Sequence, residues 1–342
     1  MNAASRTTAR PTLEQVGELA GVSRATVSRV INASPKVSPE ARAAVEQAIA
    51  TLGYSPNRAA RSLVTRRTDA LALVVCEPEE RVFAEPFFAA VVRGISLAAA
   101  EVDKSLVLVI ASDERERIRA RRYLSPHHVD GVVLMSLHGD DPLPGQLKEA
   151  GMPTVLVGRP LGRPEVPYVD ADNRGGARLA VEHLLGLGRR AIATITGPAS
   201  MCAGIDRYDG YCDALAAAGL EARPELVEVG DFGEESSYRG MRRLLERCPS
   251  LDAVFAASDL MASGALRALR DAGRTVPGNV AVVGFEDAPL ASHTVPTLTT
   301  IRQPLDEMTR ATAEILLRRI AGEVPASEHV ICQTTLVRRR SA

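Results

Sequence analysis

The chain has 342 residues, 46% hydrophobic and only 4% aromatic, which is enough apolar material for a large core divided over two or three domains. This composition excludes a disordered chain, and 41 Lys and Arg against 42 Asp and Glu exclude a uniformly basic coat for nucleic acid or an anionic membrane. The balance is uneven, however: residues 1–68 carry ten basic and four acidic side chains, a net of +6, and the remainder stands at −7. No segment approaches the roughly 18 consecutive apolar residues of a membrane span. The N-terminal arginines are followed by no apolar stretch of a secretory leader, so no membrane contact and a cytoplasmic protein are expected. The five cysteines (Cys76, Cys202, Cys212, Cys248, Cys332) are scattered and never spaced C-x-x-C, the pattern of buried free thiols rather than of disulfides or a zinc site.

The first elements are helical. Thr12 and Gln15 have capping-box spacing, and Leu13, Val16, Leu19 and Ala20 recur on one face of a first helix over 13–20. Gly21 supplies a left-handed turn, Val22 tucks inward, and Ser23 caps a second helix with Val27, Val30 and Ile31 on its apolar side. Ser38 and Pro39 open a third helix carrying Val45, Ala48, Ile49 and Leu52 up to Gly53. Three short helices sharing one core, the first two joined by a tight turn, give helix-turn-helix geometry. Its second helix enters the major groove of DNA with its N-terminal residues near base edges. Arg24, Ala25 and Arg29 then face outward, with the arginines reading bases. Ser23, Thr26, Ser28 and Asn32 hold phosphates, which fixes register without reading sequence.

From Leu71 the pattern changes to short apolar runs alternating with helical segments, the spacing of βαβ units. The runs cover 71–75, 106–110, 131–135, 154–157, 191–195, 226–229, 253–257 and 280–285, and suit buried parallel strands. Helices are expected over 87–102, 174–187, 259–272 and 306–321. The proline- and glycine-interrupted stretch from Val157 to Asn173 is read as a crossover between two doubly wound halves. The expected fold is thus a small all-α helix-turn-helix head (1–54), a hinge and linker (55–69), and an α/β body of two doubly wound parallel-sheet subdomains (70–342). Such sheets bind ligands in the crevice at the carboxyl ends of their strands.

An enzyme is not expected. The chain lacks G-x-G-x-x-G, G-x-x-x-x-G-K-[ST] and G-x-S-x-G, and holds only three lysines. The His127–His128 doublet has no supporting cluster for a metal, and no cofactor is implied. A transporter's solute-binding protein shares the two-lobed body, but it would carry a secretory leader where this chain has a basic head.

The head segments TLEQVGELAGVSRATVSRVIN and VSPEARAAVEQAIATLGYSPNRAARSL closely resemble the DNA-binding head of the LacI/GalR family of transcriptional regulators. The resemblance continues through EPFFAAVVRGI, VDADNRGGARLAVEHLLGLG, ASDLMASGALRAL, VVGFEDAP and PTLTTIRQP, nearly the whole chain. It implies a periplasmic-binding-protein-like body, a homodimer, a palindromic operator and release of DNA by a small effector, with corepression as the alternative sign that the family also uses. It also implies that 57–63 forms a hinge helix on DNA: Asn57 caps it, Arg58 faces phosphate, Ala60 permits close approach and Leu63 pries open a base step in the minor groove. For the effector it selects Phe87, Phe88, Arg159, Arg207, Phe232, Asp259 and Glu286. Gly158, Ser258 and Leu305 depart from residues common in relatives, namely aspartate, asparagine and an aromatic. The strings EPEERVFAEPFF and MSLHGDDPLPG are similar to actinobacterial cellobiose- and oligosaccharide-utilisation repressors, which implies a disaccharide effector. Phe232, Arg207 and Glu286 supply the stacking face and bidentate groups a sugar needs, and the same pieces would serve a purine.

Overall fold

The computed structural model of the protein describes residues 11–31, 34–54, 67–162, 166–323 and 328–342. These fall into two compact units, one ending at Thr68 and the other beginning at Asp69.

The first unit contains α1 (Leu13–Ala20), α2 (Arg24–Ile31) and α3 (Pro39–Leu52). The capping box at Thr12 and Gln15 is formed in both directions, and Ser38 caps α3 ahead of Pro39. Gly21 takes the left-handed conformation (φ 65°) that closes α1. Val16, Val27, Val30, Val45 and Ala48 are buried together, with Leu13, Ile49 and Leu52 packed around them. So small a core leaves the head little margin against mutation.

The second unit holds two six-stranded sheets. The strands are β1 (Ala70–Val75), β2 (Ser105–Ile110), β3 (Gly131–Met135), β4 (Thr154–Val157), β5 (Tyr168–Ala171), β6 (Ile192–Thr196), β7 (Val227–Val229), β8 (Ala253–Ala256), β9 (Ala281–Glu286), β10 (Thr299–Arg302), β11 (His329–Cys332) and β12 (Thr335–Val337). The first sheet runs β11-β5-β4-β3-β1-β2, all parallel; the second runs β12-β10-β9-β8-β6-β7, parallel except for β12. The register sets Leu73 beside Leu108 and Val133 in the first sheet, and Phe255 beside Thr194 and Val283 in the second. Apolar clusters cover both faces of each sheet, as parallel sheets require.

The helices that matter for the site are α4 (Glu79–Ala84), α5 (Pro86–Ala100), α6 (Glu114–Tyr123), α7 (Leu143–Glu149), α8 (Asn173–Gly186), α9 (Cys202–Ala217), α10 (Glu234–Arg247), α11 (Asp259–Asp271) and α12 (Leu305–Ile320). The crossover expected within 157–173 lies at the end of that stretch, from β5 into α8, and the chain passes between lobes twice more, from β10 into α12 and from β11 into β12. Strand β5 itself fills the end of the expected crossover. The extra strands escape a hydrophobic scan because they bury polar side chains. Thr299 and Thr300 are fully buried in β10, where Thr299 Oγ1 donates to the Ala342 carbonyl and Thr300 Oγ1 to Asp259. No helix among the described residues is long and apolar enough to cross a membrane.

Candidate functional site

In the head, Ser23 Oγ accepts from the Thr26 amide at 3.2 Å, fixing the start of α2. Helical periodicity then buries Val27 and Val30 and leaves Arg24, Ala25 and Arg29 exposed on the opposite face, with Ser23 exposed ahead of the helix and Thr26 and Ser28 half-buried. A Cβ at Gly17 would meet the Val22 carbonyl at 2.9 Å, so the turn between α1 and α2 depends on glycine there. Arg24 meets Glu14 of α1 at 3.1 Å with both side chains largely exposed, so solvent screens the pair and it adds little to stability. Asn32, Asn57, Arg58, Ala60 and Leu63 lie outside the described residues.

In the body, the strands' carboxyl ends enclose a cavity of about 80 Å³ between the lobes. Of the residues selected from the sequence, Phe87, Phe88, Arg207, Phe232 and Glu286 converge on it. Arg207, from α9, is 4% exposed. Its Nε donates to Asn173 Oδ1 at 2.9 Å and its Nη1 to the Ala257 carbonyl at 2.5 Å. Its guanidinium lies 3.8 Å from the centre of the Phe285 ring and 5.5 Å from that of Phe232. Asn173 Nδ2 in turn donates to Asp170 Oδ1 at 3.1 Å, so a chain of side chains reaches from β5 through α8 to Arg207.

Phe232 holds a left-handed backbone (φ 69°), costly for a bulky residue and sustained only where neighbours enforce it. One enforcer is Ser258, whose Oγ donates to the Phe232 carbonyl at 2.9 Å while capping α11 through the Met261 amide at 3.1 Å. Ser258 therefore ties the Phe232 backbone to the start of α11. Glu286 also has positive φ (115°) at the end of β9. Burial pushes its carboxyl up to about 8 against the pull of Arg207, and pushes that of Glu85, across the cavity, up to about 7. Burial also holds Asp170 above the usual aspartate range and brings Arg207 down to about 10.

Two selected residues do not line the cavity. Asp259 is fully buried at the start of α11, accepting from Thr300 Oγ1 and from the Ala288 amide at 2.7 Å; it ties β9 and β10 to α11. Arg159 reaches across the lobes instead, with Nη2 2.7 Å from both carboxylate oxygens of Asp206. Nearby, Cys202 Sγ donates to the Pro160 carbonyl at 3.2 Å. His138 sits between Glu77 Oε1 and Ser200 Oγ, 2.9 Å from each, and the Gly139 amide donates to the Ser200 carbonyl at 2.8 Å. These bridges hold the lobes together around the cavity.

Sequence reading missed Asp170, Asn173, Arg81, Ser136 and Gln303, all of which line it. Asp170 and Asn173 stand at the carboxyl end of a strand, the position from which such sheets address ligands, but β5 was hidden within the expected crossover. Among the described residues no group of three or more His, Cys, Asp or Glu could hold a metal ion. His128 instead stacks on Tyr123 at 4.8 Å and meets Ser125 at 3.0 Å.

Comparison with known proteins bears on both units. Residues 12–57 match the model of bacterial regulatory proteins of the lacI family, and residues 181–342 match a periplasmic binding protein-like domain. The chain is 53% identical to the HTH-type transcriptional regulator CelR of Thermobifida fusca, over 97% of this chain and 98% of that one. It superposes on a transcriptional regulator CelR–cellobiose complex with a TM-score of 0.78 at 50% identity, covering 97% of this chain and all of that one. On the lac repressor dimer bound to operator and an anti-inducer, the TM-score is 0.87 at 28% identity, covering 97% and 99%.

Proposed function

The chain belongs to the lacI family of bacterial regulatory proteins, and from that premise we propose that it represses carbohydrate-utilisation genes and is released from its operator by cellobiose or a closely related β-linked glucose oligosaccharide. The observation that carries this reading is the 53% identity to CelR along almost the full length of both chains, together with the cellobiose complex among the similar structures. The cavity chemistry agrees with it: an aromatic face at Phe232, a fixed guanidinium at Arg207 and carboxyl groups at Glu286 and Asp170 suit a neutral, hydroxyl-rich ligand.

On the operator, two heads of a homodimer read a pseudo-palindrome, since protein two-fold symmetry is mirrored in half-site symmetry. Arg24 and Arg29 read base edges, each bidentate contact contributing about 1–3 kcal/mol of discrimination. Ser23, Thr26, Ser28 and Asn32 engage phosphates. Asn57, Arg58, Ala60 and Leu63 form the minor-groove hinge, with Leu63 as the wedge. Effector in the cleft shifts the N-terminal lobes and separates the hinges. Linkage then requires operator to weaken effector binding by the same factor, about 5–150-fold for a coupling of 1–3 kcal/mol.

The test is operator binding followed by fluorescence anisotropy at fixed salt, with cellobiose, other disaccharides and purine bases added in turn. Cellobiose is expected to release the operator, and Leu63→Ala to weaken operator binding while leaving effector affinity intact. Release by a purine alone, or tighter operator binding with cellobiose, would refute the proposal.

A further inference from the structure

Beside the cavity stands a contact between the lobes that lines none of it. His138 lies in the loop between β3 and α7, on the first lobe, and Ser200 in the turn between β6 and α9, on the second. The turn is brought up to the ring by its backbone, since the Gly139 amide donates to the Ser200 carbonyl at 2.8 Å. With the main chains so fixed, His138 Nδ1 and Ser200 Oγ meet at 2.9 Å, and the other ring nitrogen, Nε2, lies 2.9 Å from Glu77 Oε1. Glu77 is buried, and its second carboxylate oxygen accepts from Arg81 Nη1 at 3.1 Å. The Arg81 guanidinium in turn lies 5.8 Å from the centre of the Phe232 ring, back on the second lobe. The imidazole is therefore one link in a chain of contacts that leaves the second lobe at Ser200 and returns to it at the aromatic platform.

An ionised carboxylate only accepts hydrogen bonds, so Nε2 carries the hydrogen of the neutral ring and Nδ1 accepts from the Ser200 hydroxyl. A second proton changes these roles without breaking either contact: Nδ1 becomes a donor and the hydroxyl turns to accept. The bond across the lobes is then charge-assisted, roughly twice as strong as the neutral one. Histidine is the side chain whose charge changes between about pH 5 and pH 8, and the 33% exposure of this one lets solvent protons reach it. The bridge from Arg159 to Asp206, by contrast, is made by a guanidinium that stays charged. The charged groups around the ring are Glu77 after β1, Arg81 and Glu85 of α4 and its end, Asp231 facing Arg81 from the turn after β7, and Asp140 on its own loop. The turn that carries Ser200 brings no charge, residues 197–201 being Gly, Pro, Ala, Ser and Met, and behind it Cys202 and Asp206 are bonded to Pro160 and Arg159. Glu77 travels with the ring on the first lobe, so the contact that depends on closure is the one to Ser200.

We infer that His138 and Ser200 form a proton-sensitive clasp across the cleft, tightened when the imidazole is protonated, so that closure of the lobes takes up protons and effector binds more tightly as the pH falls. His138 is thus a positioning residue for the effector response, acting through closure of the lobes and not by touching the effector. By linkage, effector favours the protonated clasp by the same factor as the proton favours effector. The choice of effector rests on the carbohydrate reading above; the clasp itself rests on the contact between lobes.

Isothermal titration of the full chain with cellobiose, at about pH 5.5 and about pH 8 and in two buffers of different ionisation enthalpy, tests it on wild type, His138→Gln and Ser200→Ala. Wild type is expected to bind cellobiose about threefold to tenfold more tightly at the acid end, the gain when one partner of a hydrogen bond becomes charged, and to take up protons as it does so. Burial of Glu85 and Glu286 moves the wild-type profile in the same direction, so the clasp is read from the difference between proteins. His138→Gln puts a side chain that does not titrate beside Glu77, and Ser200→Ala keeps the imidazole but removes its partner on the other lobe. Both are expected to bind cellobiose and to lose about threefold or more of the acid enhancement, with less proton uptake. The wild-type pH dependence and proton uptake in both variants overturn the inference. Failure of cellobiose to bind wild type at either pH overturns the carbohydrate reading but not the clasp, which is then read without ligand from the coupling between the two substitutions in unfolding of the full chain. Coupling about threefold or more stronger at the acid end supports the clasp, and equal coupling at both ends overturns it.

Discussion

In the head, the side chains offered to a partner stand on the outside of one helix; in the body, they are turned inward and held by distant neighbours. Arg24 and Arg29 are exposed because the helical repeat that buries Val27 and Val30 leaves them nowhere else to point. Arg207 is buried, and its direction is decided by Asn173, Ala257 and Phe285, which are 34, 50 and 78 positions away in sequence. A surface reader of DNA needs only a stable helix and local charge. A ligand clamp must instead be desolvated and oriented before the ligand arrives, which only a tertiary scaffold can do. The exposed arginines of α2 and the buried Arg207 mark these two strategies.

The comparison breaks most visibly if each unit is disabled in turn. Val27→Asp places a charge in the five-residue core of the head, and operator binding is expected to fall more than about a thousandfold, while sugar titration of the same protein stays near wild type. Loss of sugar binding as well would show that the body depends on the head's fold. Arg207→Ala is expected to reverse the pattern: effector affinity falls about a hundredfold or more, and unliganded operator binding survives. The truncation also strands Asn173 Oδ1 and the Ala257 carbonyl, so the body's melting transition should drop by a few kcal/mol in calorimetry.

The next effect is one of pH and belongs to the body. Burial raises Glu286 from 4.5 to about 8 and Glu85 from 4.5 to about 7, so the fold favours their protonated forms. Their contribution to stability is complete below about pH 4.5 and is lost as pH climbs through 7 and 8. Wild type should therefore lose melting temperature between pH 5 and pH 9 relative to Glu286→Gln, whose amide does not titrate. Parallel curves for the two proteins would place Glu286 in a more solvated setting. The smallest effect belongs to the head. Thr12→Ala removes one half of the capping box of α1 and is expected to cost about 1 kcal/mol in the head's melting transition alone.

These expectations follow how much could be read along the chain. The three head helices were legible because every signal that made them is local: Thr12 with Gln15, Gly21, Ser23, and Ser38 with Pro39. In the body, the strands with continuous apolar runs were equally clear. By contrast, β5 and β10 bury Asp170, Thr299 and Thr300, polar residues whose partners lie elsewhere in the fold, and a hydropathy pattern passes over them. The family resemblance brought Phe87, Phe88, Arg207, Phe232 and Glu286 to the cleft but set Asp259 and Arg159 beside them. Their carboxylate and guanidinium are committed to Thr300 and the Ala288 amide, and to Asp206.

The sequence by itself thus determined the class of each unit and the exposed face of α2, because periodicity and capping act within a few residues, and pointed to the cleft residues only through the family resemblance. Tertiary structure alone decided the three passages between lobes, the bridges at His138 and Arg159, and the cavity that gathers Phe87, Glu286 and Gln303 around Arg207. Those features join segments separated by up to 216 positions, and no local rule can specify which distant polar group will meet which, since burial and pairing are settled only when the chain closes on itself.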